Sequence, residues 1–366
     1  MAMVKLGRND LCWCKSGMKY KKCCLFKQEA RKVSSSEYGN KNIEEYNHRV
    51  CLAKGGPFGE CKGRIVRSHS ISKSSSLDPI SNEAGEVYGY KPTTEGHNPD
   101  KYTMHYKPEL IPARRASTFY GFCKHHDQVI FSPIENKPFV ATTEQCFLLA
   151  YRTLARDLHV KIGQLNSNTH DHSLEYGRSS EFIHAMRTSS GFTTLDARRQ
   201  IQGFKETLDA FEQTWDTKDF SSFRSIVFEF SSILPIMCTS SYDPSWSEDG
   251  LLPNRLESTL FYCAFASGGR SYIVLTCHRS NALGIDVIRD YSRLRLNKVT
   301  SQLVPFIFFT SENICIEPQW WDNLDIINKY KFLDLYKAGI IPGQDGPSME
   351  FKFGIPICNP VGKYLI

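Results

Sequence analysis

The sequence predicts an α+β chain of more than one domain, with small cysteine-rich modules towards its N-terminal end and a larger C-terminal α+β domain. Three observations carry this. A chain of 366 residues, 41% of them apolar, exceeds what one hydrophobic core usually organises. Cysteines cluster at residues 12–24 and recur at Cys51, Cys61 and Cys123, in stretches with little apolar periodicity. From Thr142 onward, helical and strand-like apolar patterns alternate. The resulting division is a module over 1–30, a linker over 31–42, a second metal-organised region over 43–140, and an α+β domain over 141–366.

The first module carries most of the charge. Residues 1–35 hold nine Lys/Arg (Lys5, Arg8, Lys15, Lys19, Lys21, Lys22, Lys27, Arg31, Lys32) against Asp10 and Glu29, a net of +7. Since the whole chain carries +6, the remainder is close to neutral. A small basic module suits phosphate or an acidic protein surface as partner. No apolar run approaches the roughly 18 to 20 residues of a membrane span, and MAMVKLGRND lacks a signal-peptide core. The expectation is a cytoplasmic protein with no membrane partner. In that reducing compartment thirteen cysteines argue for metal ligation and buried free thiols, not a disulfide framework.

In "GRNDLCWCKSGMKYKKCC" the spacing is C-x-C, eight residues, then C-C. Thiolates suit a tetrahedral d10 ion, and Cys12, Cys14, Cys23 and Cys24 would close its shell as a structural zinc site. Ser16-Gly17 supplies the turn, and the lysines offset the charge of a four-thiolate centre. These residues resemble the SEC-C zinc motif through Gly7, Arg8, Asn9, Asp10, Cys12, Cys14, Ser16, Gly17, Tyr20, Cys23 and Cys24. Leu11 and Trp13 stand where proline is usual in that family. The resemblance covers about 20 residues, and it implies zinc binding and contact with a protein or ribosome partner, not a reaction.

"RKVSSSEYGNKN" is polar and reads as the linker. In the region beyond it, Cys51, Cys61, Cys123 and His126 form a natural quartet for a second zinc ion. The order C…C, a strand ending in His69, a loop, then C-x-x-H resembles the HNH endonucleases, whose fold is a ββα unit. By that resemblance His69 would be the general base, and Asp127 would stand where a metal-binding His usually follows the knuckle and hold Mg²⁺ or Mn²⁺. Ser68 replaces the usual acidic residue, and Ser117, Thr118 and Phe119 precede Cys123 where an Asn is expected. His97, Asn98 and His105 are candidates for a replacement ligand. Lys62, Arg64, Arg67 and Lys73 surround His69, with Arg114 and Arg115 before the second knuckle. These six cations could position the phosphates of DNA or RNA, or lie in a solvated loop.

Downstream, Phe147, Tyr151, Leu154, Leu158 and Ile162 predict one amphipathic helix, and Ile201, Phe204, Leu208, Phe211 and Trp215 another. "NSNTHDHSLEYGRSS" between them reads as a loop, with His170 and His172 a weak metal-binding pattern. "RSIVFEF" alternates as a strand, and "TLFYCAFA" and "SYIVLTCH" flank Gly268-Gly269 as a hairpin. Cys263, Cys277 and His278 on these strands read as packed side chains. "LVPFIFFTS" has strand length, and a helix is expected to follow Pro318. Glu312, Asn313, Glu317, Trp320 and Trp321 read as a helix cap with docking tryptophans. The absence of a P-loop, GxGxxG, GxSxG or HExxH pattern leaves nucleotide hydrolysis and serine or zinc protease chemistry without support. Two readings stand: a zinc protein with an HNH-like metal-dependent nuclease, used by analogy in defence against foreign nucleic acid, and a non-catalytic adaptor with two zinc modules.

Overall fold

Alternation in the C-terminal strands sends apolar side chains to both faces, so their sheet must be covered twice. The computed structural model describes residues 6–14, 16–90, 107–170, 175–243, 255–340 and 357–366. Its helices are α1 (Cys24–Glu29), α2 (Ser35–Tyr46), α3 (Lys124–Glu135), α4 (Thr143–His170), α5 (Ser180–Thr217), α6 (Arg255–Ser258), α7 (Ala282–Arg293), α8 (Leu296–Thr310), α9 (Pro318–Asn323) and α10 (Ile326–Ile340). Its strands are β1 (Ile65–His69), β2 (Glu86–Gly89), β3 (Glu109–Pro112), β4 (Thr118–Cys123), β5 (Phe223–Phe230), β6 (Ile236–Tyr242), β7 (Leu260–Ser267), β8 (Arg270–His278), β9 (Ile314–Ile316) and β10 (Gly362–Leu365). The described residues of 1–48 and 160–201 belong to one compact unit, and those of 49–91, 106–159 and 202–366 to another.

In the first unit the expected linker is helical. Ser34 and Glu37 close a reciprocal capping box at the start of α2, each satisfying the other's backbone N–H at 3.2 and 2.9 Å. The S-x-x-E signal was present in the sequence, masked by the serine and asparagine content. Gly163 lets α4 approach α2 closely, because a Cβ there would lie 3.0 Å from the Tyr46 backbone. The loop expected over 166–180 is shorter than the pattern suggested, since α4 continues to His170 and α5 starts at Ser180. His172, His97, Asn98 and His105 lie outside the described residues.

In the second unit eight strands form one sheet in the order β10-β5-β8-β7-β6-β9-β2-β3, and its pairs are antiparallel. The predicted β7–β8 hairpin is present, with Gly268 and Gly269 at φ 59° and 77° in a turn that a β-branched residue would strain. One face carries Ile226, Phe228, Tyr262, Leu275 and Ile314, covered by Ile288 and Tyr291 of α7, Val299, Leu303 and Phe308 of α8, and Phe332 and Leu335 of α10. Cys277 is buried on this face and Cys263 on the other, both as packed thiols. The run "LVPFIFFTS" belongs to helix α8, not to a strand. Its apolar stretch is too short to show a period by itself, whereas Val299, Leu303, Val304, Ile307 and Phe308 bury one helical stripe. The helix expected after Pro318 is two helices, α9 and α10, broken at Leu324.

The opposite face of the sheet holds the candidate site in place. Met237, Ala266 and Cys315 pack against Ile71, Leu77 and Ile80, while Val227, Cys263 and Val274 pack against Phe139, Cys146 and Leu149. The β2–β3 hairpin, drawn from the region of weak periodicity, extends this same sheet through β9. Below that face β1 and β4 pair as a separate two-stranded ribbon, and α3 starts at the residue after β4.

Candidate metal centres and basic surface

The N-terminal centre is a short hairpin closed on itself. Leu11 and Lys19 form an antiparallel bridge, Cys12 N–H donates to the Met18 carbonyl at 2.8 Å, and Asp10 accepts from Gly7 N–H at 2.7 Å. Gly17 sits at φ 74° in the turn, a backbone conformation that favours glycine. The Cys12, Cys14, Cys23 and Cys24 sulfurs all lie within 4.8 Å of one another. Tetrahedral zinc with Zn–S near 2.3 Å brings its sulfurs to about 3.8 Å apart, so this donor set fits the ion. Burial would raise the pKa of the Cys14 thiol, but its hydrogen bonding with Ser16, Arg187 and Cys12 outweighs this and brings it down to about 6. Burial pushes Cys24 strongly the other way, and zinc ligation would hold it as the thiolate by displacing its proton.

These residues have a family counterpart. Residues 8–26 match the SEC-C motif. The match covers the hairpin, its four cysteines and the start of α1, and leaves the rest of the chain unassigned. No curated protein and no solved structure matches the chain.

The second centre joins residues far apart in sequence. Among the described residues, Cys51, Cys61, Cys123 and His126 form the other group that can hold a metal ion, with ligand atoms within 4.8 Å of one another. His126 Nδ1 faces the Cys51 and Cys61 sulfurs at 3.2 and 3.8 Å. Its Nε2 lies 3.1 Å from the Gly59 carbonyl, which accepts that N–H and turns the Nδ1 lone pair towards the thiols. Burial holds the imidazole below its usual pKa, in the neutral form a metal requires. Burial pushes Cys51 up to about 12, whereas at Cys123 it is outweighed by donation from the His126 and Lys62 backbone. Three sulfurs and one imidazole suit zinc, and the nine residues between Cys51 and Cys61 act as a wide loop, not a tight knuckle.

His69 ends β1 opposite Thr118, next to a bulge that places an extra β4 residue between Phe119 and Phe122. The ring hydrogen-bonds the Ala113 carbonyl, and its Nε2 is buried without a hydrogen-bond partner. Burial lowers its pKa, Arg152 and Lys73 push the same way, and the Ala113 carbonyl and Asp127 carboxylate oppose them. Asp127 therefore acts on His69 electrostatically, from one residue beyond the candidate ligand His126. Ser68, in the position where the HNH pattern has an acid, is buried with its hydroxyl unpartnered. Asn313 does the anchoring. Its Nδ2 reaches Ser70 Oγ, Ser117 Oγ and Thr239 Oγ1 at 3.1, 2.9 and 2.7 Å, fastening both strands of the ribbon to the sheet at the end that carries His69. Neither Asn313 nor the Gly59 and Ala113 carbonyls could be assigned from spacing, because each acts from a distant segment.

The predicted cations are not equivalent. Lys73 is engaged with Asp78 at 2.7 Å. Arg67 donates to the Tyr120 hydroxyl at 2.8 Å and lies over its ring, while Arg49 covers the same ring at 4.8 Å. The chain at Val50 and Leu52 hydrogen-bonds Tyr120 and Gly121, so Arg49 and Arg67 approach Tyr120 from segments flanking β4 on either side. Lys124 and His125 N–H donate to the Arg64 and Lys62 carbonyls, which brings those two cations beside Lys124. Arg49, Lys62, Arg64, Arg67 and Lys124 are exposed, as are Arg114 and Arg115 on their separate turn. Arg49, Lys124 and Tyr120 escaped the sequence pattern because only pairing of distant segments groups them. Among the described residues no helix is long and apolar enough to cross a membrane.

Proposed function

We propose that residues 43–140 are a divergent HNH-like, metal-dependent nuclease region, held together by zinc on Cys51, Cys61, Cys123 and His126, with His69 as general base. The observation that carries the reading is the state of His69. A buried imidazole nitrogen with no partner costs on the order of 1–3 kcal/mol, and such a group calls for a catalytic, ionic or solvent role. It is neutral, oriented by a backbone carbonyl, and acted on by the carboxylate that follows the zinc-ligand histidine.

In this reading Nε2 takes a proton from an attacking water, the P–O bond to the leaving oxygen breaks, and that oxygen is protonated from solvent. Asp127 fits a hard divalent ion that keeps several waters and gains phosphate oxygens from the substrate. Such an ion, when bound, would supply charge stabilisation at the phosphoryl group. Lys62, Arg64, Arg67 and Lys124, with Arg49, would hold the backbone of DNA or RNA.

The test is cleavage of single- and double-stranded DNA and RNA by the full chain in Mg²⁺ or Mn²⁺. His69→Ala should abolish cleavage while zinc stays near two ions per chain. A protein that cuts none of the four substrates refutes the reading and leaves a zinc-dependent adaptor for nucleic acid, the ribosome or another protein.

A further inference from the structure

We propose that Arg187, on α5, is a positioning residue of the N-terminal metal centre: its guanidinium, clamped by Glu175, supports the Cys14 sulfur, so the SEC-C site depends on residues far outside the motif in sequence. The inference is independent of the nuclease reading. It concerns residues that the motif does not contain, since the match ends at residue 26.

Arg187 hydrogen-bonds Cys14. Nε and one terminal nitrogen of the same guanidinium donate to the two Glu175 oxygens at 2.7 and 2.8 Å. That bidentate pair fixes the plane of the fork and leaves its outer N–H groups for the sulfur. Glu175 is buried, and a buried carboxylate needs close cations to offset its desolvation. Lys27, three residues beyond the last cysteine, is the second. Arg187 also lies 5.6 Å from the Trp13 ring, between two of the ligand cysteines in sequence. One turn earlier on α5, Ile183 is fully buried among Cys12, Cys23 and Cys24. Ile183 and Arg187 thus give α5 one face, apolar then cationic, that forms a wall of the metal centre.

The chemistry follows from charge. Four thiolates around Zn²⁺ carry a net charge of about −2, and N–H donation to a ligand sulfur offsets part of it and resists protonation of that ligand. Arg187 delivers this donation in a fixed direction, which a mobile surface lysine could not. Outer partners of metal ligands commonly change metal affinity by 10- to 100-fold.

The second zinc centre provides an internal reference. Zinc transfer from the full-length protein to a chromophoric chelator should show two phases, assigned by mass-spectrometric mapping of which cysteines become alkylated. Arg187→Gln and Glu175→Gln should each accelerate loss of the Cys12–Cys24 zinc by 10- to 100-fold and leave the Cys51–His126 phase unchanged. Arg187→Lys, which keeps the charge but not the fork, should fall between them and the native protein. Two phases at the native rates in all three variants would overturn the proposal. So would a parallel acceleration of both phases, which would indicate a general loss of folding.

Discussion

Asn313→Ala should loosen the ribbon that carries His69 without touching any metal ligand. The Asn313 Nδ2 group has two hydrogens and four acceptors in reach, the Oγ atoms of Ser70 and Ser117 and both Oγ1 and the carbonyl of Thr239, at 2.7–3.3 Å. Two strong bonds are made at a time, each worth about 1 kcal/mol net. The remaining hydroxyls still satisfy one another, since Ser70 and Ser117 lie 2.5 Å apart and Thr239 donates to Ser70 at 3.0 Å. The loss is therefore two bonds plus a small cavity, about 2–3 kcal/mol. Urea denaturation followed by tryptophan fluorescence should show a lower midpoint at unchanged slope. The zinc content should stay at the native level. A change below about 0.5 kcal/mol, the range of ordinary surface substitutions, would refute the view that Asn313 anchors the ribbon.

Other outcomes follow from single features. The folded pKa of His69 lies below its unfolded value near 6.5, because burial disfavours its charged form; its contribution to stability is present above that pH and is lost as pH falls towards the folded pKa. NMR titration of the His69 ring should give a midpoint below 6.5, and His69→Gln should flatten the acid side of the stability profile; a midpoint at or above 6.5 would contradict the burial argument. Gly339→Ala should destabilise the α8–α10 packing by about 3 kcal/mol, since its Cβ would fall 1.6 Å from the Phe309 carbonyl oxygen; thermal denaturation unchanged from the native protein would show that the helices separate freely. Arg64→Ala and Arg67→Ala should each lower the salt dependence of nucleic-acid binding by about one phosphate contact. Lys73→Ala, already paired with Asp78, should lower it much less. Fluorescence anisotropy at several salt concentrations separates these cases, and an equal loss for all three would remove the distinction between Lys73, ion-paired with Asp78, and the two arginines.

The amino-acid sequence by itself determined the local chemistry. C-x-C and C-C around a Ser-Gly turn define the first candidate metal centre because all four donors lie within one hairpin. The quartet Cys51, Cys61, Cys123 and His126 was legible because thiols and an imidazole in a region of weak core have few other uses, and the structure brings their ligand atoms together. Strand β5 followed from alternation, and β7 and β8 from apolar stretches flanking Gly268-Gly269, signals that depend on near neighbours.

Tertiary structure decided what depends on distant partners. Helix α8 hid within an apolar run that fits either period, and only its packing on the sheet selected helix. The capping box of α2 was lost in polar composition until the helix existed to be capped. Arg187 reaches Cys14, Asn313 reaches Ser70, and Arg49 reaches Tyr120, each across an interval that no local pattern spans. A hydrogen bond is directional and short in space but carries no constraint on separation along the chain. Sequence therefore specified which atoms can hold a metal ion, and the fold specified which side chains orient them.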